Sequence, residues 1–171
     1  MAEPAPTLED RLRSCARTAV HLEMRDGYMQ SDPRFAAWQA GARDSLTVSG
    51  SWLTLVSDLT SRGVVVRRAR IVSEPVSDYI RFEHHMTGAN VAVGEDVRWL
   101  PRRRASDLAL PGNDFWLFDD EVALFHHFDG DGELAPGDEE VRTDTSAVRL
   151  CADAFAAVWA RAVPHADYKV V

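Results

Sequence analysis

Leu110-Pro111-Gly112-Asn113-Asp114-Phe115-Trp116-Leu117-Phe118-Asp119-Asp120-Glu121-Val122-Ala123-Leu124-Phe125-His126-His127-Phe128-Asp129-Gly130-Asp131-Gly132-Glu133 spells a hairpin. Pro-Gly-Asn opens it as a turn, and a short run of large apolar and aromatic residues follows. That run is too short for an ordinary helix, so it reads as a buried strand. Asp119-Asp120 makes a tight turn, a second aromatic strand returns, and Asp129-Gly130-Asp131-Gly132 closes it. Carboxylates stand at one end of this hairpin and a histidine pair lies on its return strand.

Working outward, the hairpin is embedded in helix-to-strand units. On the N-terminal side, Thr7 caps a helix from Leu8, with Glu9 and Asp10 in its first turn. The period then changes: Val20, Leu22 and Met24 alternate with His21, Glu23 and Arg25, which predicts a strand over 18–24 with His21 on its polar side. A loop with a short helix at 33–39 leads to a helix carrying Trp52, Leu55, Val56 and Leu59. Gly63 ends that helix and a β-branched strand, 64–72, follows. Arg68 and Arg70 fall on one face of that strand and Arg67 on the other. Ser73 is expected to cap the next helix, with Glu74 and Pro75 in its first turn and Val76, Tyr79, Ile80 and Glu83 on one face. Residues 87–95 read as a loop, and 97–100 as a short strand ending at Pro101. On the C-terminal side, 133–144 reads as an acidic loop. Asp144 to Ser146 cap a last helix with the stripe Val148, Cys151, Phe155, Val158 and Trp159. Pro164 stops it and a tail follows.

A chain of 171 residues suits one domain with a real core. Net charge is 19 − 27 = −8, which argues against direct nucleic-acid binding or adhesion to an anionic membrane. No apolar run approaches a membrane span, and residues 1–7 lack the basic start and apolar core of a signal peptide, so a cytoplasmic location is expected. Cys15 and Cys151 sit in helical apolar patterns and are expected to be free thiols. Of the 19 basic residues all but Lys169 are arginine. Nine of them, Arg62, Arg67, Arg68, Arg70, Arg81, Arg98, Arg102, Arg103 and Arg104, fall in the middle of an otherwise acidic chain.

Few constellations carry chemistry. There is no P-loop, dinucleotide turn, nucleophile elbow, H-E-x-x-H or C-x-x-C. Asp129, Asp131, Glu133 and Glu140 have calcium-loop spacing, but Leu134 stands where that loop needs glycine. His126 and His127 are adjacent in a strand and point to opposite faces, so with Asp119 and Asp120 they give no convincing metal set. Neither a metal nor a cofactor is expected.

The helix at 52–59, the strands at 64–72, 97–100 and 115–118, and the final helix resemble one half of a phospholipase D-like domain. The catalytic pattern of that family is H-x-K-x-x-x-x-D. Setting Asp119 on its aspartate puts Asp114 at the lysine and Gly112 at the histidine. The resemblance therefore implies a mixed sheet between helices and a member without its nucleophile or its phosphate-neutralising cation. Ser73-Glu74-Pro75-Val76-Ser77-Asp78-Tyr79, Gly94 to Pro101 and Leu110 to Asp120 also resemble an uncharacterised bacterial family of small proteins, often encoded beside helix-turn-helix regulators. That resemblance implies a regulatory or accessory setting.

The expectation is one α/β domain over 8–168, phospholipase D-like, with a central mixed sheet flanked by helices. Residues 1–7 form a frayed N-terminus and 169–171 a tail. The leading function is a non-catalytic regulatory or accessory domain. It would work through a protein partner such as a helix-turn-helix regulator, or by sensing an anionic small molecule. The ligand set would be Arg70, Ser73, Ser77, Arg81, Arg98, Asp114 and Asp119, gathered where the strands 64–72, 97–100 and 115–118 end. Two alternatives stand beside it: an enzyme using Asp114, Asp119 and His126 on a small or nucleotide-like substrate, and a homodimeric interaction module.

Overall fold

A computed structural model describes residues 5–171; the expected frayed terminus falls largely on 1–4, outside the described residues. Helix α1 (Leu8–Ser14) is held by a reciprocal capping box between Thr7 and Asp10. Strand β1 (Thr18–Glu23) follows, then α2 (Pro33–Gln39) and α3 (Gly50–Ser61). Gly63, at φ +87°, ends α3 in the left-handed conformation that glycine adopts without strain. The chain continues through β2 (Val65–Val72), α4 (Asp78–Ala92) and β3 (Asp96–Pro101). The hairpin supplies β4 (Phe115–Phe118) and β5 (Val122–Phe128). After it come β6 (Leu134–Arg142), α5 (Thr145–Arg161) and the two-residue β7 (Val163–Pro164). Among the described residues no helix is long and apolar enough to cross a membrane.

The seven strands form one mixed sheet in the order β6-β5-β4-β1-β2-β3-β7. β1, β2 and β3 are parallel, whereas β4 joins the other side of β1 antiparallel and the hairpin continues outward. The expected mixed sheet between helices is what forms. Alternation sorts each strand into two faces. Val20, Leu22, Ala69, Ile71, Leu100, Phe115, Leu117 and Phe125 pack against Cys151, Phe155 and Val158 of α5. The opposite face carries two separate apolar clusters. One joins Leu12, Leu55 and Leu59 to Val66, Trp116, Phe118 and Leu124. The other joins Phe35, Trp38, Tyr79 and Phe82 to Val72, Val97 and Trp99. Trp99 and Trp116 are both fully buried; each such side chain contributes roughly 1.5–3 kcal/mol or more of hydrophobic stabilisation. Between these clusters the face is polar, and the candidate site lies there.

Three segments differ from the sequence-based expectation. Ser73 does not cap α4, because its amide and hydroxyl both donate to the Asp26 carboxylate, at 2.7 and 2.6 Å. The Glu74–Pro75 bond is cis, and Ser77 is the cap, accepting from the Ile80 amide at 3.2 Å. Helix α4 also runs through 87–92, where a loop was expected. Thr87 lies in it with its hydroxyl donating to the Glu83 carbonyl at 2.7 Å, while the same oxygen accepts from Arg70. The acidic 134–142 segment is an edge strand paired with β5. Acids, Pro136 and Gly137 give it a loop-like composition, which edge strands tolerate. The C-terminal tail is docked: the Tyr168 hydroxyl donates to Glu74 at 2.9 Å and the Val76 amide donates to the Val171 carbonyl at 2.9 Å.

Candidate functional site

On the polar part of the face, β1 presents His21 and Glu23, and its neighbour β2 presents Arg68 and Arg70. The strands are in register, with His21 opposite Arg68 and Glu23 opposite Arg70. Because both strands lie inside the sheet, these charges are buried, and each is paired. Arg68 donates to Glu23 at 2.5 Å and to Glu95 at 2.7 Å. Arg70 donates to Glu23, to Glu83 at 2.5 Å and to the Thr87 hydroxyl at 2.7 Å. Glu95, only 1% exposed, also accepts from Asn90 at 2.8 Å. Burial alone would raise the Glu23 carboxyl, but Arg70 and Arg68 beside it hold it well below the usual carboxylate range. Burial disfavours the charged form of Arg68, yet Glu95 and Glu23 outweigh it and raise its pKa.

This network floors a cavity of about 520 Å³, within the size range of small-molecule sites. Trp52, Trp116, Tyr28, Phe128, Met29 and Met86 supply aromatic and apolar walls. His21 lies flat on Trp116, with ring centroids 4.3 Å apart, and edge-on to His126 at 6.3 Å. Burial pushes His21 far below its ordinary pKa and His126 in the same direction, which favours the neutral form of both imidazoles. Nδ1 of each is buried without a hydrogen-bond partner among the described residues. Asp114, 4% exposed, accepts from the Met24 amide at 3.0 Å and from the Tyr28 hydroxyl. Burial raises its carboxyl to about 6. The charged lining comprises Arg34, Arg68 and Arg70 against Glu23, Glu83, Asp114, Asp138 and Glu139. Three cations face five carboxylates, so the cavity is acidic, and its two central arginines are already engaged.

The expected ligand residues do not converge. Arg70 and Asp114 line the cavity. Ser73 and Ser77 sit beyond the end of β2 and bond to Asp26. Arg81 is half-buried on α4 and is not among the cavity-lining residues. Arg98 belongs to the other face of the sheet, with its guanidinium 4.2 Å from the Trp159 ring centroid. Asp119 is at the far end of β4 from Asp114, roughly 16 Å away at about 3.3 Å per strand residue. There its carboxylate accepts from the amides of Ala16, Arg17 and Thr18 at 2.8, 2.6 and 2.8 Å. β4 runs antiparallel to β1, so its end does not meet those of β2 and β3 as expected. For the same reason the acid–base trio loses Asp119 and only Asp114 and His126 share the cavity. His126 and His127 do face opposite ways, and His127 meets Glu140 at 3.2 Å. Gly112 lines a separate surface depression with Asn113 and Phe125.

The sequence gives one usable sign of this site that the expected set passed over. Interior strands of a sheet covered on both faces normally read as apolar runs. His21 with Glu23, and Arg68 with Arg70, break that rule at matching two-residue spacing. Glu83 and Glu95, which complete the pairing, carry no local signal because only the folded topology brings them in.

A phospholipase D family member, Nuc from Salmonella typhimurium, aligns over 91% of this chain and 86% of its own, with a TM-score of 0.50 and 8% identity. That likeness is one of fold. TrmBL2, an archaeal chromatin protein described as showing a novel mode of DNA binding, aligns over 90% of this chain and 47% of its own, with a TM-score of 0.43 and 13% identity. No curated protein matches the chain. A family model described as Domain of unknown function (DUF6879) matches residues 6–170, and the chain belongs to that family.

Proposed function

We propose that the chain is a small-molecule-binding domain of the regulatory or accessory kind, with its ligand held in the cavity above β1, β2, β4 and β5. One observation carries this: a cavity of about 520 Å³ on a floor whose buried charges, Glu23, Arg68 and Arg70, are paired within the protein. A floor fixed in this way is preorganised for binding, with Glu23, Glu83 and Glu95 each tied to an arginine. Both thiols, Cys15 and Cys151, lie outside the cavity lining. On the register that sets Asp119 on the aspartate of the phospholipase D pattern, Gly112 and Asp114 take the places of its histidine and lysine, which favours the same reading.

Lining charge selects the ligand. Arg68 and Arg70 are committed to glutamates, so a bare anion finds repulsion from five carboxylates and little to pair with. A flat, neutral or cationic heterocycle fits better. It would sit among Trp52, Trp116 and Phe128, with hydrogen bonds to the neutral imidazoles of His21 and His126. Binding would then be signalled to a protein partner, with a helix-turn-helix regulator the first to try.

Thermal unfolding in the presence of a panel tests the ligand class. Nucleosides and aromatic amines stand on one side, nucleotides and sugar phosphates on the other. A ligand present at 100 times its Kd stabilises by about 2.7 kcal/mol, which is roughly 5–10 °C in melting temperature for a chain of this size. The neutral or cationic set should raise the midpoint, and Trp52→Ala should abolish the shift. Stabilisation by phosphorylated anions alone, or by no member of the panel, would overturn the proposal.

A further inference from the structure

At the rim of the cavity, three potential donors converge from two paired strands. His126 on β5 lies opposite Glu139 on β6, and Asp138 precedes Glu139. Nδ1 or Nε2 of the imidazole and one oxygen of each carboxylate all lie within 4.8 Å of one another. Consecutive residues of a regular strand point to opposite faces, yet Asp138 and Glu139 both line the cavity. The irregularity in pairing between His126 and Phe128 permits this.

Two features separate this group from an ordinary acidic patch. Among the described residues His126 Nδ1 is buried and has no hydrogen-bond partner, and it stands 3.9 Å from Asp138, beyond hydrogen-bond reach. Among the described residues, neither Asp138 nor Glu139 pairs with an arginine or lysine, although most carboxylates bordering the cavity are engaged. A buried nitrogen with no proton partner, beside two carboxylates with no cation, is a site that lacks a positive centre.

We propose that His126, Asp138 and Glu139 bind one divalent transition-metal ion at the rim of the cavity. Metal–ligand bonds of about 2.0–2.2 Å place the donors of one ion roughly 3–4 Å apart, so side-chain adjustments of about 1 Å close the set. An imidazole with two carboxylates favours zinc over manganese and both over magnesium. Three protein ligands leave a coordination position open toward the cavity, as in sites that bind a further molecule. The ion would offset the two unpaired carboxylates and give an acidic cavity a local centre that accepts lone-pair donors. It does not depend on the organic ligand proposed above, and its test needs none.

The untagged protein, stripped with EDTA and dialysed, is titrated calorimetrically with zinc chloride, manganese chloride and magnesium chloride. Zinc should bind with a stoichiometry of one, more tightly than manganese, with magnesium giving no saturable heat. His126→Ala and Asp138→Asn should each weaken zinc about tenfold or more, since even outer partners of a metal ligand are worth 10–100-fold. Among the described residues the buried His126 Nδ1 has no hydrogen-bond partner to lose, so its removal should leave the fold intact by circular dichroism. Glu139→Gln, at an exposed position, serves as the second variant. His127→Ala and His165→Ala are the controls, because His127 meets Glu140 on the other face and the His165 ring lies 4.4 Å from that of His84. Both controls should bind zinc as the parent does. No saturable zinc binding, or binding that survives His126→Ala and fails in a control, would overturn the site.

Discussion

Arg70→Met is the substitution on which the account of the buried network stands most directly. Arg68 and Arg70 face Glu23, Glu83 and Glu95, a balance of +2 − 3 = −1. Replacing Arg70 with methionine preserves much of the volume but changes the balance to +1 − 3 = −2. Glu83 loses its one cationic partner among the described residues, and Glu23 keeps only Arg68. Breaking a buried pair in this way costs about 3–5 kcal/mol, or roughly 6–20 °C of melting temperature in a chain of this size. Glu23→Gln acts the other way on charge, giving +2 − 2 = 0. Each arginine keeps one carboxylate, and the amide oxygen still accepts, so the expected cost is only about 1–2 kcal/mol. The double variant returns the balance to −1 and should be more stable than Arg70→Met alone. Urea unfolding would be followed by circular dichroism and by tryptophan fluorescence, Trp99 lying 5.0 Å beneath the Arg70 guanidinium. If Glu23→Gln proved as costly as Arg70→Met, or if the two changes simply added, charge balance would not be what holds this part of the sheet together.

Other perturbations have equally definite outcomes. Asp119→Ala removes the acceptor for three backbone amides and should cost about 2–4 kcal/mol, measured by urea midpoint, while zinc titration stays unchanged; a cost below about 1 kcal/mol would contradict the anchoring role. Burial, with His84 and Arg70 nearby, holds His165 at about 4 against an ordinary 6.5. The folded chain therefore binds this proton less readily than the unfolded one, so the contribution is complete above pH 6.5 and is lost as pH falls toward 4. His165→Gln should flatten the urea midpoint over that window, and an unchanged slope would refute the assignment. Burial raises the Cys15 and Cys151 thiols to about 11 and 12, so a disulfide-exchange reagent should label neither in the native state within minutes and both in urea. One fast native thiol would show that a local opening has been missed.

Much of the architecture is legible in the sequence because it depends on short-range rules. The hairpin around Asp119-Asp120, the capped helices at Thr7 and Asp144, and the glycine stop at Gly63 all follow from period, caps and turns. Legibility fails where a local preference is overridden from outside. Thr87-Gly88 looks like a helix end, but the Thr87 hydroxyl is fixed between the Glu83 carbonyl and Arg70. Residues 134–142 look like a loop because an edge strand is allowed the composition of one. The basic middle of the chain suggested an anion site. Its two most buried arginines instead serve as counterions for glutamates contributed by a strand, a helix and a loop far away in sequence. Pattern shows that Arg68 and Arg70 share a face, but only topology shows what they meet there.

The strands that end the sheet have a consequence for the chain in a crowded solution. An open sheet exposes unpaired amides and carbonyls at its two margins, and these are templates for growth into fibres. One margin here is β7, two residues long and ending in a proline with no amide hydrogen. The other is β6, which carries Pro136, Gly137 and three acidic residues, Asp138, Glu139 and Glu140. A second copy approaching β6 edge to edge would bring Asp138, Glu139 and Glu140 against their own likenesses. Like-charge repulsion at strand spacing opposes that contact, which guards the aromatic hairpin behind β6 against edge-to-edge pairing.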